Sequence, residues 1–165
     1  MEIIIRSAED YNETIEVDPD WAEPWYYKGE TLYQLKRYDQ AIECYNSAIE
    51  LSPDWSYPWN SKGLSLYQLK KYDESIGAYN KAIEIDKDFT YAWNNKGVAL
   101  VALSRYKEAI DAYDQAIKIN PDYGWVWQNK GNALEAQGKD KEAAEALQKA
   151  VEILFKKRFG ENLSA

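Results

Sequence analysis

The amino-acid sequence predicts an all-α repeat protein, and three observations lead to that fold class. Trp25, Trp59, Trp93 and Trp127 are each 34 residues apart, and each opens the phrase Trp-x-x-Lys-Gly. Within every interval, apolar residues recur at spacings of three and four, which is the spacing of one face of an α-helix. Two such stretches, separated by a short polar turn, fill each interval. A fixed period of this length is typical of a repeat architecture.

The first complete repeat shows how its two helices are defined. A polar turn at Lys36-Arg37 separates them, and Asp39 stands where a carboxylate can accept hydrogen bonds from the free N–H groups of the second helix. Pro53 ends that helix because proline has no N–H to donate. The apolar stripe is formed by Trp25, Gly29, Leu32 and Leu35 in the first helix and by Ala41, Ile42, Tyr45, Ala48 and Ile49 in the second.

Four full repeats are expected, at residues 22–55, 56–89, 90–123 and 124–157. Residues 11–21 match residues 45–55, so residues 1–21 are interpreted as a half-repeat that holds only a second helix. That half-repeat has two explanations. Either the protein starts with a single unpaired helix, or the sequence is a piece of a larger protein. Residues 158–165 form a short tail.

The fourth repeat departs from the others and predicts a longer last helix. Phe155 stands where Pro53 and Pro121 stand, so the helix can continue through Lys156-Lys157-Arg158, a basic end that complements the helix dipole. Gly160 is the expected stop. The other departures are Asp140 and Leu147 for tyrosines in the fourth repeat, and Ser75 for alanine and Lys87 for proline in the second.

Two local expectations concern the first helices. Ser56 and Thr90 are good N-cap residues at the expected helix starts. A glycine within a helix costs about 1 kcal/mol relative to alanine, so the repeated glycine of the phrase indicates a close approach by the backbone of a neighbouring helix. These glycines are Gly29, Gly63, Gly97 and Gly131.

With these residues in place, the chain resembles the tetratricopeptide repeat family, whose 34-residue helix–turn–helix units share this pattern. The resemblance covers residues 22–157 fully. It implies a right-handed α-solenoid of antiparallel helix pairs, with the first helices along a concave groove. Lysine precedes each glycine where the family usually has leucine, and its stem can lie on apolar surface. The matching residues are Trp25, Gly29, Leu32, Ala41, Tyr45, Ala48 and Pro53, and Trp93, Gly97, Leu100, Ala109, Tyr113, Ala116 and Pro121.

Composition excludes several classes of chemistry. The chain has no histidine and one cysteine, Cys44, so histidine-based acid–base catalysis, a Cys–His pair and the usual zinc sites are excluded. No phosphate-binding loop is present, because Lys-Gly reverses the required Gly-Lys order. We expect a protein that is not an enzyme, with no cofactor and no metal. Cys44 is expected to be an inert, partly packed thiol.

Charge and hydropathy limit the kinds of partner and location that the sequence favours. The formal charge of −8 disfavours nucleic acid and anionic lipid. No signal peptide and no membrane-spanning run are recognised, so the expected location is the cytoplasm. The expected partner is a protein or peptide, either a basic or an apolar segment, although an acidic surface can also serve only for solubility.

The family resemblance places the candidate binding residues on the first helices, facing the groove. Amides can bond an extended peptide backbone, and aromatic rings add contact area at low entropic cost. The alternative is that the tyrosines pack between neighbouring repeats. The terminal-carboxylate clamp of chaperone-binding members is not expected, because its cations are missing here. The candidates are Tyr26, Glu30, Tyr33, Tyr57, Asn60, Tyr67, Tyr91, Asn94, Asn95, Trp125, Gln128 and Asn129.

Three functions are therefore open. The first is a non-catalytic scaffold that holds a peptide or protein segment in the concave groove. The second is structural self-assembly, head-to-tail or swapped, through terminal repeats with Ile3-Ile4-Ile5 at one end. The third is a targeting module of a larger enzyme, suggested by the incomplete first repeat.

Overall fold

A computed structural model describes residues 8–160 of the chain, so Ile3-Ile4-Ile5 lie outside the described residues. Across the described residues the regular structure consists of nine α-helices. Their bounds are α1 Asp10–Val17, α2 Ala22–Gln34, α3 Tyr38–Leu51, α4 Ser56–Gln68, α5 Tyr72–Ile85, α6 Thr90–Ala102, α7 Tyr106–Ile119, α8 Gly124–Ala136 and α9 Asp140–Phe159.

The helices follow the 34-residue period of the sequence. The first helices α2, α4, α6 and α8 start at residues 22, 56, 90 and 124, and each packs on the helix that follows it. Within the last pair, Gly124 faces Leu154 and Gly131 faces Leu147, so the two helices run antiparallel. The predicted fold class, an all-α array of antiparallel helix pairs, is confirmed.

The helices group into two compact parts. The N-terminal part, residues 1–87, holds α1 to α5, and the C-terminal part, residues 88–165, holds α6 to α9. Each part is centred on tyrosines of its second helices. Tyr45 and Tyr79 are 0% and 1% exposed in the N-terminal part, and Tyr113 is 1% exposed in the C-terminal part. In the first three repeats, burial of a ring of this size contributes substantially to stability.

The Trp-x-x-Lys-Gly phrase has one physical explanation in all four repeats. Residues three apart are neighbours on a helix surface, and each lysine ammonium lies over the tryptophan ring that precedes it. The distances from Nζ to the ring centroid are 5.4 Å for Lys28, 5.3 Å for Lys62, 5.1 Å for Lys96 and 5.7 Å for Lys130. Lysine therefore replaces the leucine of the family by covering the ring with its stem and holding its charge above it.

The repeated glycine is required by a side chain of the second helix and not by its backbone, which corrects the sequence-based expectation. In the first three repeats this side chain is a tyrosine ring, and in the fourth Gly131 faces Leu147. A Cβ placed on Gly29 would lie 2.6 Å from Cε1 of Tyr45, and Gly63 faces Tyr79 in the same way. Such distances are well inside van der Waals contact. The tyrosine of the second helix therefore fills the space that a side chain on the first helix would need.

The predicted N-caps are wrong by one position. Ser56 and Thr90 are the first helical residues of α4 and α6, and the N-cap positions belong to Trp55 and Phe89, which make no side-chain capping bond. Ser56 is instead 6% exposed. A small residue is needed at position 56 because the start of α4 is buried against other parts of the protein. This need comes from tertiary packing and not from helix capping.

Helix α9 is the longest helix described. It continues past Phe155 to Phe159, and its last turn contains Lys156, Lys157 and Arg158. Gly160 follows as the C-cap with a φ of −67°, so the helix stops there without the left-handed conformation that glycine usually supplies. The basic last turn lies where the helix dipole favours positive charge.

Ser65 leads to a prediction about stability. Its side chain is 0% exposed and its Oγ has no hydrogen-bond partner among the described residues, whereas the same repeat position holds Ala99 and Ala133. An unsatisfied buried hydroxyl costs about 1–3 kcal/mol. We expect Ser65→Ala to raise the free energy of unfolding by about 1 kcal/mol in chemical denaturation. Ser75→Ala is the control, because Ser75 Oγ donates to the Tyr72 carbonyl at 2.7 Å, and a gain of the same size there would contradict the explanation.

Candidate protein-interaction surface

All twelve candidate residues lie on the first helices of the repeats. Helices α2 and α4 carry six of them in the N-terminal part, and α6 and α8 carry six in the C-terminal part. By exposure and hydrogen bonding, the structure separates three exposed rings from three packed tyrosines, from the amides and from the carboxylate of Glu30.

Three candidates are aromatic rings with more than half of their surface exposed. Tyr57 is 53% exposed, and Tyr91 and Trp125 are each 57% exposed. They occupy the same position of three successive repeats, 34 residues apart. The Tyr91 ring also meets the Tyr123 ring edge-on at 5.5 Å, so it is held in place and still accessible. Tyr, Trp and Arg are the residues that contribute most at protein interfaces.

Tyr26 and Glu30 are largely engaged inside the N-terminal part. The Tyr45 hydroxyl donates to Oε1 of Glu30 at 2.7 Å, and the Tyr26 ring lies 4.8 Å from the Trp55 ring. Burial, together with the nearby Glu30 carboxylate, raises the pKa of Tyr26 to about 12, although a hydrogen bond with Ser61 opposes the shift. Tyr26 therefore stays neutral at physiological pH and acts as a packed ring with one polar edge.

Tyr33 and Tyr67 pack against the second helix of their own repeat. Their rings lie 5.4 Å from Tyr38 and 5.3 Å from Tyr72, next to the turn of each helix pair. Gln68 Nε2 also donates to the Tyr33 hydroxyl at 3.4 Å, which links α4 to α2. Both tyrosines are half-buried, so they support the surface more than they extend from it.

The asparagines bond one another more than they face solvent. Asn129 Nδ2 donates to Asn94 Oδ1 at 2.9 Å, and Asn94 Nδ2 donates to Asn95 Oδ1 at 3.4 Å. Asn60 and Asn94 are only 8% and 9% exposed. Little of these two amides is left for a partner, while Gln128 remains half-buried. Asn60 and Asn94 therefore offer less accessible area than the exposed rings.

Tyr27 is an exposed ring that the twelve candidates do not include. It is 50% exposed and meets the Tyr26 ring edge-on at 5.2 Å. The Tyr11 ring of α1 lies nearly parallel to it, with centroids 6.4 Å apart and an angle of 19°. The sequence contains a signal for this site, since Glu23 and Glu30 stand four before and three after Tyr27 and so share its helix face.

The charge of the chain is unevenly divided between the two parts. Residues 1–87 contain 17 Asp and Glu against nine Lys and Arg, whereas residues 88–165 contain 11 of each. The whole formal charge of −8 therefore belongs to the N-terminal part. Residues 9–23 alone contribute seven carboxylates and no cation. A field of one sign attracts partners of the opposite sign and speeds their association.

The environment of the lysines in the Trp-x-x-Lys-Gly phrase affects their ionisation and their ion pairing. Burial lowers the pKa of Lys62 and of Lys96, while the Glu74 and Glu108 carboxylates respectively oppose the shift. In the C-terminal part Lys130 Nζ lies 2.6 Å from Asp114 Oδ1, with the lysine side chain 21% exposed. Each of these lysines lies over the tryptophan ring of its own repeat, and Lys130 is also paired with a carboxylate.

Three open cavities lie away from the twelve candidates. One of about 230 Å³ opens beside α1, one of about 350 Å³ lies between α8 and α9, and one of about 560 Å³ lies near the end of α9. The first of them reaches Cys44, which is 5% exposed, and burial raises the pKa of its thiol. Cys44 is thus a packed thiol with low reactivity.

The described residues contain no group of three or more His, Cys, Asp or Glu side chains arranged to hold a metal ion. Among the same residues, the helices are too short or too polar to cross a bilayer.

Family models match most of the repeat region. A model described as "Tetratricopeptide repeat" matches residues 22–54 and 90–123, one described as "TPR repeat" matches residues 63–104, and a further "Tetratricopeptide repeat" model matches residues 112–152. No curated protein sequence matches the chain.

Several solved structures have a similar fold. A crystal structure of MamA superposes with a TM-score of 0.85 at 24% identity, covering 92% of this chain and 88% of that one. MamA from Desulfovibrio magneticus RS-1 gives a TM-score of 0.82 at 20% identity, covering 96% and 86%. The structure named MamA MSR-1 gives 0.76 at 25% identity, covering 91% and 86%. At these identities the likeness concerns the fold.

Proposed function

Because the chain belongs to the tetratricopeptide repeat family, we propose that it is a non-catalytic scaffold that binds a segment of another protein along its first helices. The observation that carries the proposal is made in each part separately: Tyr57 is exposed on α4 of the N-terminal part, and Tyr91 and Trp125 are exposed on α6 and α8 of the C-terminal part. Repeat proteins of this kind present their binding surface as a series of equivalent positions. A cytoplasmic location stays a prediction.

Burial of these rings explains how such a surface binds. A ring with half of its area exposed can place about 100 Å² against a partner, and aromatic side chains lose few rotamers when they do so. The amides of α6 and α8 are already ordered by their own hydrogen bonds. The surface is therefore preorganised, which reduces the entropic cost of association.

A capture experiment with the full chain tests the proposal. A Tyr57→Ser, Tyr91→Ser and Trp125→Ser triple variant is expected to lose the partners that the unchanged chain retains from a lysate of its source, because the contact area is removed while the core is kept. The control is Val17→Ser, Trp21→Ser and Leu35→Ser, whose residues are 86%, 47% and 58% exposed at other positions. Equal retention by the two triple variants, both folded by circular dichroism, contradicts the proposal.

A second candidate function is head-to-tail self-association, and one observation favours it. Val151 is 65% exposed on α9 and Phe155 is 55% exposed, whereas Ile49, at the repeat position of Val151, is 9% exposed. No described helix covers α9 on this side. The basic last turn of α9 and the carboxylates of α1 supply charge complementarity between two copies. Heterologous contacts of this kind can extend into filaments.

Light scattering over a concentration series tests self-association. The mean mass is expected to rise with protein concentration, and Val151→Glu combined with Phe155→Glu is expected to return it to the monomer value. A mass that stays monomeric at every concentration excludes this candidate.

A further inference from the structure

Tyr27 lies between two carboxylates on one face of α2. Glu23 is four residues before it and Glu30 three residues after it, and side chains at these spacings are neighbours on a helix surface. Glu23 is exposed, and Tyr27 is 50% exposed. Glu30 accepts from the Tyr45 hydroxyl at 2.7 Å, which fixes its position. The Tyr27 ring is therefore a π surface flanked by negative charge.

Rings from two other helices join the same surface. Tyr11 of α1 lies nearly parallel to Tyr27 at 6.4 Å. Tyr57 of α4 is 53% exposed, and it follows by two residues Trp55, whose ring lies 4.8 Å from the Tyr26 ring. Three helices of the N-terminal part thus contribute tyrosines beside Tyr26 and Tyr27. We call the set Tyr11, Glu23, Tyr27, Glu30 and Tyr57 the tyrosine–carboxylate surface.

The sequence beside this surface is rich in carboxylates. Residues 9–23 contain seven carboxylates and neither Lys nor Arg. The next cation along the chain, Lys28, has its ammonium 5.4 Å from the centroid of the Trp25 ring. A positive group from another molecule would meet the exposed Tyr27 ring and the exposed Glu23 carboxylate together.

We propose that the tyrosine–carboxylate surface binds an arginine-bearing basic segment of a partner protein. The inference rests on the proposed scaffold function and names the chemistry of its partner. A guanidinium stacks on a tyrosine face and at the same time offers a planar fork of N–H donors to a carboxylate. Tyr27 supplies the face and Glu23 supplies the exposed carboxylate, so one arginine can use both.

The contrast with the C-terminal part shows why a basic segment fits here better than an apolar one. Tyr91 and Trp125 are exposed in a part of the chain with no net charge, where an apolar partner meets little opposition. On the tyrosine–carboxylate surface an apolar partner would cover Glu23 and Glu30 without bonding them. Covering a carboxylate in this way is unfavourable, so the charge selects the partner.

Peptide titration of the full chain by calorimetry tests the inference. The probes are a peptide of alternating arginine and glycine, the same peptide with lysine, the same peptide with glutamate, and a peptide of this chain's own residues 149–158. The arginine peptide is expected to bind, the lysine peptide several-fold more weakly because ammonium lacks the planar fork, and the glutamate peptide not at all. Affinity is expected to fall as salt screens the carboxylates.

Two matched variants separate ring contacts from diffuse charge. Tyr27→Leu with Tyr57→Leu keeps the net charge and is expected to weaken arginine-peptide binding about tenfold through loss of two cation–π contacts. Glu23→Gln with Glu30→Gln is expected to weaken it by a similar factor. The control, Glu43→Gln with Glu50→Gln, removes the same charge from exposed positions of α3 and is expected to change the affinity less than about twofold.

Three results overturn the inference. One is the absence of arginine-peptide binding, which leaves the scaffold proposal standing if the capture experiment succeeds. Another is an equal effect of the two glutamate pairs, which means that only the overall charge attracts the peptide. The last is binding of the residue 149–158 peptide alone, which assigns the surface to a second copy of this chain.

Discussion

Gly97→Ala is expected to lower the free energy of unfolding by about 2 kcal/mol, although alanine is the better helix former. A Cβ at this position would lie 2.8 Å from both Cδ1 and Cζ of Tyr113, and that ring is 1% exposed. The ring cannot move without displacing the core, and overpacking of this kind costs about 1–3 kcal/mol. The gain in helix propensity, about 1 kcal/mol, offsets only part of that cost. Chemical denaturation followed by circular dichroism measures the difference.

Gly77→Ala is the matched control within α5. A Cβ there meets nothing within 4 Å. The same change is therefore expected to raise the free energy of unfolding by about 0.5–1 kcal/mol. Two identical substitutions, both inside helices, should thus have opposite signs. In a Tyr113→Ala background, Gly97→Ala should lose its cost because the ring has gone. Stabilisation by Gly97→Ala in the unchanged chain would refute the packing explanation.

Strongly alkaline solution is expected to unfold the protein through its buried tyrosines. Burial raises the pKa of Tyr45 and of Tyr79 well above the ordinary value of 10, with Glu30 adding to the shift for Tyr45 and Tyr33 adding to it for Tyr79. Above pH 10 the unfolded chain loses these protons while the folded chain keeps them. The stabilisation is complete below pH 10 and is lost as pH rises towards the folded-state pKa values.

The size of the alkaline effect follows from linkage. Each tyrosine that stays neutral in the folded state loses about 1.4 kcal/mol of stability per pH unit above 10, so Tyr45 and Tyr79 together remove about 3 kcal/mol by about pH 11. Lys62 and Lys96 act in the opposite direction, because burial lowers their pKa values. The stability that Lys62 and Lys96 contribute rises with pH. It is complete only above about pH 10.5, where the unfolded lysines have also lost their protons.

Denaturation curves at about pH 9 and about pH 11 measure the loss, and Tyr79→Phe identifies its source. Phenylalanine keeps the ring and removes the ionisable group, so the variant should lose only about half as much stability between the two pH values. Tyr79 is suited to this test because it is 1% exposed. An undiminished loss in Tyr79→Phe would show that the alkaline transition has another origin.

The period of the sequence was enough to predict the fold class. The 34-residue spacing of Trp25 and its equivalents places four first helices at residues 22, 56, 90 and 124, where the structure has them. Pro53 and the turn at Lys36-Arg37 are local signals, since a missing N–H or a polar turn acts on the residues beside it. Features of this kind depend on neighbours along the chain and can be recognised without the structure.

The candidate surface was predicted less completely. Tyr57, Tyr91 and Trp125 are exposed on the first helices, but Asn60 and Asn94 are covered, and Tyr27 was not among the twelve candidates. Position in a repeat defines the helix face on which a side chain lies. Its exposure depends on what the neighbouring helix presents there, such as the Asn129 amide that bonds Asn94. The sequence pattern of a single repeat therefore does not predict how exposed a side chain is.

The sequence by itself therefore determined the helices, their pairing and the uneven charge, because these follow from short-range spacing and from composition. Only the tertiary structure decided why the phrase contains Gly, because Gly29 makes room for the Tyr45 ring of the second helix. It also decided that Glu30 bonds Tyr45 while Tyr27 stays exposed. These outcomes depend on contacts between residues far apart in the chain, and close packing settles them only when the helices meet.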